Sequence, residues 1–352
     1  MDTANDHIVE LLRSIIKEPS FSRQEDGTAN IIESFFKDQG IPPFRKYNNV
    51  WVRNLHYLED KPTILLNSHH DTVRPKSDWT KDPFTPIIEK GKLYGLGSND
   101  AGASLVALIA SFLEFYNHEN LLYNIVFVAS AEEEVSGSQG VESVLNDLDQ
   151  IDFGIVGEPT GMQMAIAEKG LMVLDCVAEG VSGHAARDSG KNAIYIACKD
   201  IEWIKKYEFP KVSNILGPVK MTTTMIKSGT QHNVIPDKCE FVIDVRSTDV
   251  YRNEEILRVI KNQLESRVQE RSIRLQPSSI SQNHVLVKVA NQLGIRTFGS
   301  QTLSDQALMP FDTVKIGPGN SDRSHTTDEF VYLREIKEGI DGYIRILKHI
   351  IE

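Results

Sequence analysis

The sequence predicts an α/β domain built from both ends of the chain, with a smaller α+β domain inserted in it. Three observations carry that expectation. Short, mainly apolar runs of strand length recur along the chain, and helical patterns lie between some of them. From about Leu171 the rhythm changes to alternating strands around two amphipathic helices.

Ile8, Leu11, Leu12, Ile15 and Ile16 recur at helical spacing, and Ile31, Ile32, Phe35 and Phe36 do so again before Gly40. Residues 63–66, 125–128, 153–156 and 314–316 are apolar runs too short for helices, and residues 104–116 and 141–148 read as helices between them. Strands interleaved with helices indicate a sheet covered on both faces. Residues 172–178 read as a strand, and 193–207 as a helix with Ile194, Cys198, Ile201 and Ile204 on one face. Residues 219–226 and 239–245 alternate as an antiparallel pair; 256–268 is a second helix and 273–275 a final strand. That order is the split βαβ, or ferredoxin-like, pattern. Helices at 285–293 and 334–350 return the chain to the first domain. The expected boundaries are 1–170, 171–276 and 277–352.

Length and composition agree. The 352 residues correspond to about two domains. With 40% apolar and 25% charged residues the chain is of globular type, which excludes disorder. The net charge of −11 and the lack of a basic run exclude nucleic acid and anionic membrane as partners. No stretch approaches the ~20 apolar residues of a membrane span, and the start MDTANDHIVELL has no signal-peptide pattern. Cys176, Cys198 and Cys239 are scattered in apolar stretches, so buried thiols and a cytoplasmic location are expected.

The chemistry lies where the apolar runs end. One leads into Ser68-His69-His70-Asp71, one into Glu132-Glu133-Glu134, one into Glu158-Pro159-Thr160, and the last into a Gly/Ser/Asp loop carrying His325. Ligands of open α/β sheets bind at the carboxyl ends of strands, so these groups could converge. Two His and several carboxylates without Cys form the ligand set of a hydrolytic zinc site, mononuclear or dinuclear. Taken singly, each has a plainer reading as a polar turn, a solvated helix face or a surface loop. Gly95-Leu96-Gly97-Ser98-Asn99-Asp100 invites a nicotinamide-cofactor reading, but its spacing is not GxGxxG. It reads better as a tight turn presenting Asp100 at a helix N-terminus, where the carboxylate could bridge two cations.

The series SHHDTV, YGLGSND, SAEEEVSG, GEPT, SGHAAR, NVIPDKCEFVIDVR and SHTTDEF resembles the dinuclear zinc aminoacylase and metallopeptidase family, which includes acetylornithine deacetylase and succinyl-diaminopimelate desuccinylase. The resemblance implies a zinc-peptidase-like catalytic domain with a mixed sheet between helices, and an inserted ferredoxin-like lid and dimerisation domain. It implies two zinc ions per subunit, with Co(II) or Mn(II) as substitutes: His69, Asp100 and Glu158 would hold one, and Asp100, Glu134 and His325 the other. Asp71 would fix the His69 imidazole, and Glu133 would be the general acid/base. The family has Asp-Glu-Glu where this chain has Glu132-Glu133-Glu134, and His70 is read as a non-ligand. His184 would reach across a homodimer to the reacting carbonyl, while Asn233 and Arg246 would hold the substrate carboxylate. The expected substrate is therefore a small N-acyl amino acid. N-acetyl-L-ornithine, and with it arginine biosynthesis, comes first; N-succinyl-ornithine, N-succinyl-citrulline or N-succinyl-diaminopimelate is the alternative, with Arg323 and Lys169 as partners for a succinyl carboxylate. A di- or tripeptidase and a non-catalytic binding protein are the competing readings.

Overall fold

The computed structural model describes residues 3–187 and 189–352. The chain divides into two compact units, Met1–Ile166 with Ile280–Phe298 and Ser304–Glu352, and Ala167–Ser279 with Gly299–Leu303.

The first unit is built on a mixed sheet. Its strands run in the order Phe44–Lys46, Asn49–Arg53, Asn124–Ser130, Thr63–His69, Phe153–Val156, Asp312–Lys315 and Met164–Glu168. The four from Asn124–Ser130 to Asp312–Lys315 are parallel to one another, and the strands that border them, Asn49–Arg53 and Met164–Glu168, are antiparallel to them. Every residue of Thr63–His69 and Asn124–Ser130 is buried, as expected of parallel strands covered on both faces. Helix Ala103–Phe115 is buried nearly all round and packs on helices Thr3–Lys17 and Leu333–Ile351. Phe36, Phe112 and Phe127 form an aromatic knot with centroids 5.8–6.3 Å apart, tying helices Asp26–Asp38 and Ala103–Phe115 to the sheet. Phe127 is fully buried there, so Phe127→Ala is expected to cost about 3–5 kcal/mol through lost transfer energy and a cavity. Denaturant unfolding of the metal-free protein measures this, and a loss below about 1 kcal/mol would mean the site collapses to fill the void.

The second unit has a four-stranded antiparallel sheet in the order Lys220–Ser228, Lys238–Ser247, Gly170–Glu179 and Arg267–Glu270. With helices Ala193–Lys206 and Asn253–Gln263 this is the ferredoxin-like order. Leu174, Cys176, Phe241, Ile243, Ile196 and Ile260 belong to its core.

Four local expectations are corrected. The final strand is Arg267–Glu270 rather than 273–275, and the second helix stops at Gln263 rather than at 268. The buried Asp200 carboxylate accepts the N–H groups of Glu265 and Ser266 at 3.0 and 2.9 Å, turning the chain out of the helix so that Val268 enters the sheet. That same Asp200 belongs to the buried face of helix Ala193–Lys206, together with Ala193, Ile196, Ala197 and Ile204, so Cys198 is exposed while Cys176 and Cys239 are buried. Residues 141–148 form only the short 3-10 turn Val141–Ser143. Val141, Val144 and Leu148 still pack inward, on Trp51, Val126 and Val128, with Asn146 and Asp147 favouring turns.

Candidate metal centre

Strand Thr63–His69 delivers His69 at its carboxyl end. The imidazole Nδ1 lies 3.0 Å from the Asp71 carbonyl oxygen and 3.4 Å from Asp71 Oδ1. Donation from Nδ1 leaves Nε2 as the free acceptor, which sets the tautomer a metal ligand needs. Nε2 faces Asp100 Oδ1 at 3.4 Å and Glu158 Oε1 at 3.8 Å. His70, next in the chain, points the other way. Its Nδ1 meets the Thr28 hydroxyl at 2.8 Å and its Nε2 the Asn48 carbonyl at 2.9 Å. Burial pushes its pKa down to about 4, so it is a neutral core histidine.

Asp100 sits in the turn Ser98–Gly102 that leads into helix Ala103–Phe115, and the Asp100–Ala101 peptide is cis. Gly97 opens this turn at φ +72°, where a side chain would also run into Thr72. Strand Asn124–Ser130 leads to Glu132, in left-handed backbone at φ 56°, and then to the short turn Glu133–Val135. The Asp71 carboxylate holds that turn: it accepts the N–H of Glu133 at 3.1 Å, the N–H of Glu134 at 3.2 Å and the Ser22 hydroxyl at 2.7 Å. His325, also left-handed at φ 56°, places Nε2 2.9 Å from Glu134 Oε2 and 3.6 Å from Asp100 Oδ2. Non-glycine residues in this conformation cost of order 1–3 kcal/mol and gather at functional sites.

His69, Asp100 and Glu134 offer ligand atoms within 4.8 Å of one another, as do His69, Glu133 and Glu158. The electrostatics fit a cation. Burial, reinforced by Asp100 and Asp305, raises the Glu158 carboxyl to about 8. Burial, with Glu158, Asp305 and Glu134, holds Glu133 well above the carboxylate range. His325 is raised to about 9 by its bond to Glu134. Burial opposes a charge on His69, but Asp100 and Asp71 override it and hold His69 well above its usual value. Carboxylates crowded until they retain protons, around imidazoles driven to charge, are what a divalent ion would neutralise.

Three site residues expected from sequence lie in the second unit. His184, in strand Gly183–His184, pairs with Val234, and the Ala185 N–H donates to the Asn233 carbonyl at 3.0 Å, so His184 and Asn233 are neighbours. Arg246 holds Asp244 with two hydrogen bonds of 2.9 and 3.1 Å. Lys169 is buried beside it: burial, then the charges of Lys220 and Arg246, lower its pKa. Arg323, offered as a partner for a succinyl carboxylate, bonds Glu335 through both terminal nitrogens at 2.9 and 2.7 Å.

Two buried acids escaped the sequence reading. Glu329 accepts three backbone N–H groups from the Asp100 turn; burial and then the Asp100 charge raise it to about 8. Asp305 bonds the Ser130 hydroxyl at 2.6 Å and burial raises it to about 6. Glu329 lies inside SHTTDEF and was open to notice; Asp305 follows no strand end and gave no signal. A cavity of about 220 Å³ opens beside His325, lined by Val73, Arg74, Pro75, Lys76, Trp79 and Thr326. Among the described residues no helix is long and apolar enough to cross a membrane.

A family model described as peptidase family M20/M25/M40 matches residues 65–349. A curated relative, succinyl-diaminopimelate desuccinylase of Wigglesworthia glossinidia brevipalpis, is 28% identical over 68% of this chain and 68% of its own length. A tripeptidase structure from Staphylococcus aureus superimposes with a TM-score of 0.79 at 20% identity, covering 98% of both chains. A dinuclear metal-binding peptidase from Bacillus subtilis does so at 0.72 and 16%, covering 99% of both.

Proposed function

Since the chain belongs to peptidase family M20/M25/M40, metal-dependent hydrolases, we propose that it cleaves the amide bond of an N-acyl amino acid using two zinc ions per subunit. The observation that carries this is the convergence of His69, Asp100, Glu134, Glu158 and His325 at the carboxyl ends of the parallel strands. His69, Asp100 and Glu158 would hold one ion, and Asp100, Glu134 and His325 the other, with Asp100 between them. When bound, the ions would lower the pKa of a water and polarise the amide carbonyl.

The chain's own groups then do the rest. Asp71 orients His69 and clamps the Glu133–Glu134 backbone. Glu133 takes the proton of the attacking water and returns it to the leaving nitrogen. His184 of the partner subunit stabilises the developing oxyanion. Asn233 of the partner subunit, beside that histidine, and Arg246 hold the substrate carboxylate, Arg246 by its planar fork, in a neighbourhood that Lys169 and Lys220 make cationic. The second unit supports a homodimer by its edge strand Lys220–Ser228, where Met225 and Ile226 are 64% and 57% exposed.

For the substrate, N-acetyl-L-ornithine, with a cytoplasmic place in arginine biosynthesis, is the reading from the sequence motifs. An N-succinyl amino acid is the second reading. It is favoured by the desuccinylase relative and by the cavity beside His325, where Arg74 and Lys76 could meet a second carboxylate. The test is hydrolysis of N-acetylornithine, N-acetylcitrulline, N-succinylornithine, N-succinylcitrulline, N-succinyl-diaminopimelate and two dipeptides, after chelation and zinc add-back. Zinc-dependent release of one amino acid from the acetyl or the succinyl members decides between the readings. Cleavage of the dipeptides alone would replace both with a peptidase, and silence without metal uptake would remove the enzyme mechanism.

A further inference from the structure

Glu329 is only 2% exposed, yet its carboxylate is committed to the backbone of a single turn. Oε1 accepts the N–H groups of Asn99 at 2.8 Å and Asp100 at 2.9 Å, and Oε2 accepts that of Gly97 at 3.0 Å. The Glu329 carbonyl takes a fourth, from Gly95, at 3.1 Å. These amides open the turn Ser98–Gly102, where the first N–H groups of a helical segment have no acceptor within it, so they need one from outside. Buried N–H groups without partners are costly, and a carboxylate acceptor makes the stronger, charge-assisted bond. The acid is itself fixed, since the next residues, Phe330–Tyr332, pair antiparallel with Lys92–Tyr94 just upstream of the turn. A second tie runs from the turn to the loop before His325: Asn99 Oδ1 accepts the Asn320 N–H at 2.9 Å and Asn99 Nδ2 donates to the Asn320 carbonyl at 3.1 Å.

We propose that Glu329 is a positioning residue that sets Asp100 for metal binding by holding the Gly97–Asp100 backbone as its template. This rests on reading Asp100 as a ligand to both ions. Asp100 lies between His69 and His325, at 3.4 and 3.6 Å, so a small displacement of the turn disturbs both halves of the centre.

The experiment is calorimetric titration of zinc into chelated protein for wild type, Glu329→Gln and Asp200→Asn. Glutamine keeps the shape but loses the charge and turns an NH₂ group towards an N–H. Asp200→Asn is the matched lesion, a buried carboxylate that accepts two backbone N–H groups in the second unit. Wild type is expected to bind two ions, Glu329→Gln to bind both about 10–100-fold more weakly, the scale for partners behind metal ligands, and Asp200→Asn to match wild type. Wild type that binds no zinc would overturn the metal reading itself. Two tight ions in Glu329→Gln would overturn the role of Glu329 alone, as would equal weakening in both variants. Should Glu329→Gln fail to fold, hydrogen exchange on zinc-free wild type decides. The amides of Gly97, Asn99 and Asp100 are expected to be protected, and rapid exchange there overturns the proposal.

Discussion

Glu133→Gln is expected to keep two zinc ions bound while kcat falls about 10²–10⁴-fold, the scale for losing a general acid/base. The substitution is nearly isosteric and preserves the Glu133 N–H that Asp71 accepts at 3.1 Å, so the turn and the adjacent Glu134 keep their places. Only the ability to take up and return a proton goes. The geometry makes this a sharp test, because the Glu133 carboxylate lies close enough to His69 and Glu158 to serve as a ligand itself. Zinc content by elemental analysis, beside kcat at saturating substrate, separates the roles. Loss of one ion would make Glu133 a ligand, and full activity with both ions would move proton transfer to another group.

The zinc-free protein is expected to lose stability as pH rises from weakly acidic to alkaline, and zinc binding near neutrality to release protons. Glu158 starts from 4.5 and is held near 8 in the fold by burial. The folded state therefore binds its proton more tightly than the unfolded one. That contribution is complete below 4.5 and is lost as pH rises through about 8. His325, raised from 6.5 to about 9 by its bond to Glu134, acts in the same sense over a higher window, damped by its half-exposed position. Asp71 and Asp100 work oppositely. Despite burial, their bonds to His69 hold both below 3.8, so their share is present above that value and fades only in stronger acid. Zinc must displace the protons on its ligands, so apparent affinity should climb with pH until about 9. Urea unfolding of chelated protein across this range, and a pH-electrode record of zinc addition in weak buffer, check both parts. Stability that rises with pH in the chelated protein, or zinc uptake without proton release, would contradict the expectation.

The parallel strands were legible because burial on both faces leaves an unbroken apolar run, as in Ile64, Leu65 and Leu66, and the polar residue ending each run marks the crevice. The ferredoxin-like order was legible from alternation, as in Lys238–Ser247. Residues 141–148 misled because Val141, Val144 and Leu148 share a helical spacing that turns can also bury. Helix length in the second unit depended on Asp200, more than sixty residues upstream, which no local pattern reveals. The same limit explains the Asp71 clamp and Glu329: both act on backbone amides far away in the chain, and amides leave no mark in a sequence. Residue types singled out His69, Asp100 and His325, which the fold brings together, whereas the groups behind them were hidden.

Strand Asp312–Lys315 lies between Phe153–Val156 and Met164–Glu168 in the sheet. On the ribosome, its two neighbours emerge about 150 residues before it does, many seconds earlier at the usual 5–20 residues per second. Through that interval Phe153–Val156 presents an open edge of unpaired amides and carbonyls, and such edges template association with other chains. His325 follows the end of that strand by ten residues, so the stitch that closes the sheet and the last histidine of the candidate centre arrive close together. On the proposed ligand sets, a nascent chain would gain no stabilisation from a second bound ion until that stitch is made.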